Sequence, residues 1–200
     1  MRFKYISAKT FQGNANIVFK KNPENKLAIQ TTLNQVTTYK NDLYLDITNV
    51  DPPYHKAILY NLAKRVYRFD RYKGHQHEKE NVIIYIISKL APTFYTRIIN
   101  RIKAVNMARA LASEPSNIIN PGTFCDYATS LFASSVARVK INNEQDLKNM
   151  GMGLVTGVGG GSRRGPRLLV IEIDGESASK VCFVGKGVTF DSGGYNIKPG

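Results

Sequence analysis

The chain is poor in the residues that build disulfide frameworks and Cys/His metal clusters. Its 200 residues include 2 cysteines and 3 histidines. Cys125 and Cys182 supply neither a framework nor a ligand cluster, so the expectation is two buried free thiols in a reducing compartment. Long apolar runs are also lacking. The longest, NVIIYIISKLA (81–91), is too short to span a bilayer, which requires about 20 residues. The first twenty residues have no long apolar stretch after their basic residues, so no signal peptide is expected, and the expected location is cytoplasmic with no membrane partner. Internal repeats and low-complexity segments are absent. Carboxylates are scarce in one half only: residues 1–110 carry 19 basic against 7 acidic side chains, and residues 111–200 carry 9 against 8. Such an excess can attract nucleic acid or acidic surfaces. The basic residues are scattered in the sequence, however, and a solvated surface is the plainer reading.

The apolar share, 42%, suits a packed core. Short aromatic or β-branched runs at 2–7, 15–20, 26–31 and 42–47 read as strands. Residues 52–73 carry Ala57, Leu59, Leu62, Ala63, Val66, Tyr67 and Phe69 at helical spacing, with Pro52 and Pro53 at the start. Residues 81–88 read as a buried strand, and 92–114 as a long helix with a stripe from Phe94 to Leu111. Further expectations are a helix over 121–139, a short strand at 139–142 and a short helix from 143, with Asn143 as its cap and Gly151 as its stop. Two neighbouring strands of one sheet are expected at 167–174 and 180–187. This alternation defines an α/β chain. The expected layout is a small N-terminal α/β domain (1–91), a connecting helix (92–114) and a second α/β segment (115–200).

Two features invite a ligand reading and fail it. The run GVGGGSRRG (157–165) matches neither phosphate-binding pattern: no Gly-Lys-Ser/Thr follows, and Ser162 stands where the dinucleotide pattern needs glycine. A tight turn where chain segments pack closely is the expectation. His75 and His77 sit in a polar loop with no third ligand nearby, and His55 carries no further signal.

The closing stretch, VGKGVTFDSGGYNIKPG (184–200), raises a sharper question. It sets Lys186, Asp191 and Lys198 on a glycine-rich segment after a strand-like run. In open α/β folds, strand ends of this kind face the ligand crevice. A lysine binds a metal only as the neutral amine, and from an ordinary value near 10.4 this costs about 4.6 kcal/mol at pH 7. A nearby dication can offset that cost. Asp191 is a hard oxygen ligand for Zn, Mn or Mg. Lys198 could stay charged and polarise a carbonyl oxygen. Spacing alone makes this a weak signal.

The same stretch resembles the active-site segment of the leucyl aminopeptidase (cytosol aminopeptidase) family of dinuclear metallopeptidases. Lys186, Asp191 and Lys198 match the family pattern in identity and spacing. ARALASEPSNIINPGTF (108–124), MGMGLVTGVGGGSRRGPRLLVIEI (150–173) and YRFDRYKG (67–74) resemble upstream family segments, so the likeness covers about residues 67–200. The resemblance implies that Lys186 ligates one of two divalent ions (Zn or Mn, with Mg a third candidate) and that Asp191 bridges both. It implies that a metal-bound water attacks the N-terminal peptide bond, and that Lys198 holds the carbonyl oxygen. It also implies that residues 115–200 are the first part of a catalytic α/β domain with a central mixed sheet, that residues 1–91 are a shortened and divergent N-terminal domain, and that the partners are peptide substrates and a homohexamer. The sequence departs from the family in lacking its further carboxylates and its Asn-Thr-Asp-Ala-Glu-Gly-Arg stretch. The expectation is therefore a fragment or truncated copy, inactive alone and prone to aggregate at unpaired sheet edges. The alternative is a non-catalytic nucleic-acid-binding or assembly protein derived from the same family.

Overall fold

The computed structural model describes residues 1–35, 42–74, 82–176 and 179–190. The chain divides into two compact units, Met1–Ser113 and Glu114–Gly200.

The first unit is a parallel α/β sandwich. Its strands are β1 (Arg2–Ser7), β2 (Ile17–Val18), β3 (Leu43–Asp46) and β4 (Ile83–Ser88), in the spatial order β1-β4-β3-β2. All pairings are parallel, with Arg2 opposite Ile83 and Leu43 opposite Ile84. Parallel neighbours need a crossover between them. Helix α1 (Lys26–Leu33) supplies it from β2 to β3, and α2 (Pro52–Val66) from β3 to β4. Helix α3 (Pro92–Ser113) follows β4. Leu43, Leu45, Ile84 and Ile86 alternate along the strands and enter one core with Ile29 and Leu33 of α1, Ile58, Leu59 and Leu62 of α2, and Tyr95 and Ile102 of α3.

The intervening strand residues, Lys4, Tyr85 and Tyr44, stand side by side in register on the other face. Tyr44 and Tyr85 stack with ring centroids 4.6 Å apart, Phe11 packs against Tyr44, and the Lys4 ammonium lies 5.6 Å from the Tyr85 ring centroid. Phe11 belongs to the link between β1 and β2, the two edge strands. This row of rings shields a sheet face of the kind that parallel sheets ordinarily cover with helices.

Two departures from the sequence expectations lie here. Residues 26–31 form α1 rather than a strand. The Asn25 side chain caps the helix by accepting from the Ala28 amide at 2.9 Å, and Ile29 and Leu33, four apart, are its buried residues. Capping and a four-residue apolar spacing outweigh the β-branched content of KLAIQT. The helix expected over 52–73 ends at Val66, because Tyr67 is extended. Its prolines lie in the first turn as expected, and Asp51 before them is held by Asn22 through two reciprocal bonds of 2.6 and 2.7 Å.

His55, unremarkable in the sequence, is 1% exposed and organises a buried polar cluster. Its Nε2 lies 2.9 Å from the Val50 carbonyl, which can only accept, so Nε2 carries the proton. Nδ1 then accepts from the Tyr95 hydroxyl, also at 2.9 Å. The Ser88 Oγ lies 2.7 Å from the Tyr95 oxygen and completes its bonding, while accepting from the Leu90 amide at 3.1 Å. Burial pushes the Tyr95 hydroxyl up to about 12 and keeps it a donor. Burial also lowers the His55 pKa below 6.5, partly opposed by the bond to Val50 and the charge of Asp51.

Two outcomes are expected. Leu62→Ala, at a fully buried position, should lower unfolding free energy by about 2–5 kcal/mol in a urea titration. The depressed His55 pKa means that below pH 6.5 the unfolded chain takes up a proton that the folded chain refuses. This contribution is complete above pH 6.5 and is lost as pH falls towards the folded value. Urea midpoints measured from pH 7.5 to 5.5 should fall, and His55→Gln should flatten the slope over that interval.

Candidate active-site segment

The second unit opens with a turn in which the Pro115 carbonyl accepts from Ile118 and Ile119 at 2.9 and 3.0 Å. Helix α4 (Pro121–Phe132) follows. Asn120, buried, accepts from the Gly122 and Thr123 amides, and Thr123 returns a bond to the Asn120 backbone. This reciprocal cap with proline at the first helical position fixes the start. The helix ends at Phe132, short of the expected 139, because Arg138 and Val139 belong to strand β5 (Arg138–Asn142). Helix α5 (Glu144–Asn149) starts from an Asn143–Asp146 capping box, as the sequence suggests, and Gly151 stops it at φ +69°. Helix α6 (Gly153–Gly159) and strand β6 (Leu168–Glu172) complete the unit's regular elements among the described residues. β5 and β6 pair antiparallel, with Arg138 opposite Glu172 and Asn142 opposite Leu168. At the open end of this pair the Arg138 guanidinium binds the Asp174 carboxylate and holds its pKa below the ordinary range.

The glycine run is structural, in keeping with the close-packing expectation, although its first part is helix and not turn. A Cβ on Gly159 would stand 2.5 Å from the Pro166 Cβ, and one on Gly160 would stand 2.8 Å from the Thr156 carbonyl oxygen. Gly165 has φ +57°, which favours glycine. The guanidinium of Arg164 donates to the Ser116 carbonyl at 2.9 Å, tying the glycine-rich segment back to the turn before α4.

Residues 180–187 do not form the expected second strand. They carry no regular structure, and Phe183 and Val184 are 93% and 94% exposed. A strand with apolar residues on both faces is stable only when paired and covered, and among the described residues this run is neither. Cys182 lies in this stretch and is exposed, against expectation, whereas Cys125 in α4 is buried and burial pushes its thiol pKa up. Lys186 sits on the exposed segment, where its carbonyl accepts from the Val188 amide at 3.1 Å. Asp191 and Lys198, with which it was expected to act, lie outside the described residues, as do His75 and His77. Among the described residues no three His, Cys, Asp or Glu side chains converge on a metal-sized site. The motif itself offers two amines, Lys186 and Lys198, and one carboxylate, Asp191, whereas a zinc-type site needs about four donor atoms. These residues therefore do not make up a dinuclear centre by themselves.

Residues 106–200 match the profile of the cytosol aminopeptidase family, catalytic domain. The chain is 37% identical over 149 residues to a probable cytosol aminopeptidase of Aquifex aeolicus, covering 72% of this chain and 30% of that protein. It is 34% identical over 162 residues to one from Ehrlichia ruminantium, covering 76% and 32%. The N-terminal and second units also share their fold with solved proteins. A tomato leucine aminopeptidase variant superposes with a TM-score of 0.64 at 16% identity, over 85% of this chain and 37% of that one. A bottromycin maturation enzyme in complex with Mn does so with a TM-score of 0.57 at 20% identity, over 76% and 33%. The chain belongs to the cytosol aminopeptidase family, as its closing motif suggests, and spans about a third of the length of these relatives.

Gly159→Ala should force the α6 C-terminus away from Pro166, because neither the proline ring nor the helix end can yield by rotating a side chain. The expected result is a loss of roughly 1–3 kcal/mol, read as a lower thermal midpoint, while Gly161→Ala, with open space around it, should change little.

Proposed function

We propose that this chain is part of a metal-dependent aminopeptidase that releases N-terminal residues such as leucine from peptides. The observation that carries this reading is the match of residues 106–200 to the family's catalytic domain, including the unbroken stretch with Lys186, Asp191 and Lys198. In this reading Lys186 and Asp191 are two of the donors to a pair of divalent ions, Zn or Mn. Lys198 stays charged and holds the substrate carbonyl oxygen as it gains negative charge. The metals supply Lewis-acid activation when bound. The remaining donors must come from residues outside this set, so the 200-residue polypeptide is inactive alone. A cytoplasmic homohexamer is the assembly that accompanies the reading. A nucleic-acid-binding role rests only on the charge excess of residues 1–110 and takes second place.

The test is a chimera in which residues 106–200 replace the matching segment of the Aquifex aeolicus relative. Metal-dependent hydrolysis of leucyl amide is expected, with loss on Lys186→Met. A chimera that is folded by circular dichroism, binds Mn and still fails to hydrolyse the amide would overturn the reading. Lys198→Met in the active chimera should lower kcat by about 10²–10³-fold, the usual cost of deleting one donor to a developing oxyanion, with Mn affinity unchanged. The 200-residue polypeptide, prepared free of other peptidases, should show no hydrolysis at any Mn or Zn concentration.

A further inference from the structure

Helices α1, α2 and α3 of the first unit frame a groove of about 600 Å³. Four cationic side chains line it: Lys26 from α1, Lys64 and Arg65 from α2, and Arg109 from α3. No carboxylate lines it, and among the described residues none of the four cations makes an ion pair. Lys26 and Lys64 are exposed and need no explanation by themselves. The arginines are different, because both are half-buried and held in place.

Arg65 donates from Nη1 to the Asn34 Oδ1 at 2.6 Å and from Nη2 to the Gln30 carbonyl at 3.3 Å. The Arg109 guanidinium carbon lies 3.9 Å from the Tyr67 ring centroid, and its Nη1 is 3.5 Å from the Asn106 Oδ1. Every partner is neutral. These contacts orient the guanidiniums and reduce the entropy lost on further bonding, yet leave their charge uncancelled. Like charges gathered around one concavity repel, and an anion seated there relieves that repulsion. Arginine presents a planar fork that matches phosphate oxygens, and lysine adds point charges. Apolar lining from Ile102 and Val105 can accept an organic body beside the charged end. The volume falls in the range of small-molecule sites, about 300–1,000 Å³.

We propose that this groove binds a small phosphorylated molecule. The proposal is independent of the aminopeptidase reading, since every residue involved lies in the first unit. Calorimetric titration of the 200-residue chain with pyrophosphate and with adenosine monophosphate, at low salt, tests it. Saturable one-site binding is expected, weakening as salt rises. Lys26→Gln combined with Lys64→Gln, both at exposed positions, should weaken it by roughly tenfold or more. Lys140→Gln combined with Arg163→Gln removes the same charge from the second unit and should leave it unchanged. Absence of saturation would overturn the proposal, as would equal weakening by the two double variants. Citrate binding as tightly as pyrophosphate would overturn the choice of phosphate, and binding confined to duplex DNA would overturn the choice of a small ligand.

Discussion

Strand β4 is the constraint on which the first unit depends. It is bonded to β1 on one side and β3 on the other, and it joins α2 to α3. Its alternate residues Ile84 and Ile86 enter the helix-covered core, while Tyr85 joins the aromatic row on the other face. Its last residue, Ser88, is a buried hydroxyl that meets Tyr95 of α3, which in turn meets His55 of α2. One strand therefore sets the register of its neighbours and the docking of two helices. The polar cluster at its end makes that docking specific, because any slip of α2 or α3 would strand a buried imidazole or hydroxyl without a partner.

The second unit is held differently. Its elements are short and their ends are written into local chemistry: two capping boxes, a proline at the first position of α4, and glycines where a positive φ or a close approach forbids a side chain. Its sheet among the described residues is one antiparallel pair. The apolar run beyond β6 is the clearest contrast with the first unit, where the apolar strands β3 and β4 each lie between two others.

These differences explain what was legible in the sequence. Asn143, Pro121 and Gly151 act over three or four residues, and their roles follow from spacing alone. The helix at 26–33 was hidden because its signal is a single cap and one pair of buried residues, in a segment whose composition favours a strand. The expected strand at 180–187 reads correctly as an apolar run, but strand formation is a property of the partner and not of the run. The closing motif carries the family resemblance, and the roles proposed for Lys186, Asp191 and Lys198 rest on that resemblance, because spacing could not assign them. The basic groove was invisible for a further reason. Lys26, the adjacent pair Lys64 and Arg65, and Arg109 are far apart in sequence and meet only because two crossover helices and α3 lie side by side.

The aromatic row on the sheet face has an optical consequence. The chain has no tryptophan, and nine of its eleven tyrosines lie in residues 1–113. Two of these, Tyr44 and Tyr85, are nearly parallel at an interplanar angle of 5° and packed face to face. Ultraviolet absorption and near-ultraviolet dichroism of the chain are therefore dominated by the first unit. Melting of the parallel sheet can be followed by its intrinsic chromophores, almost without contribution from the second unit.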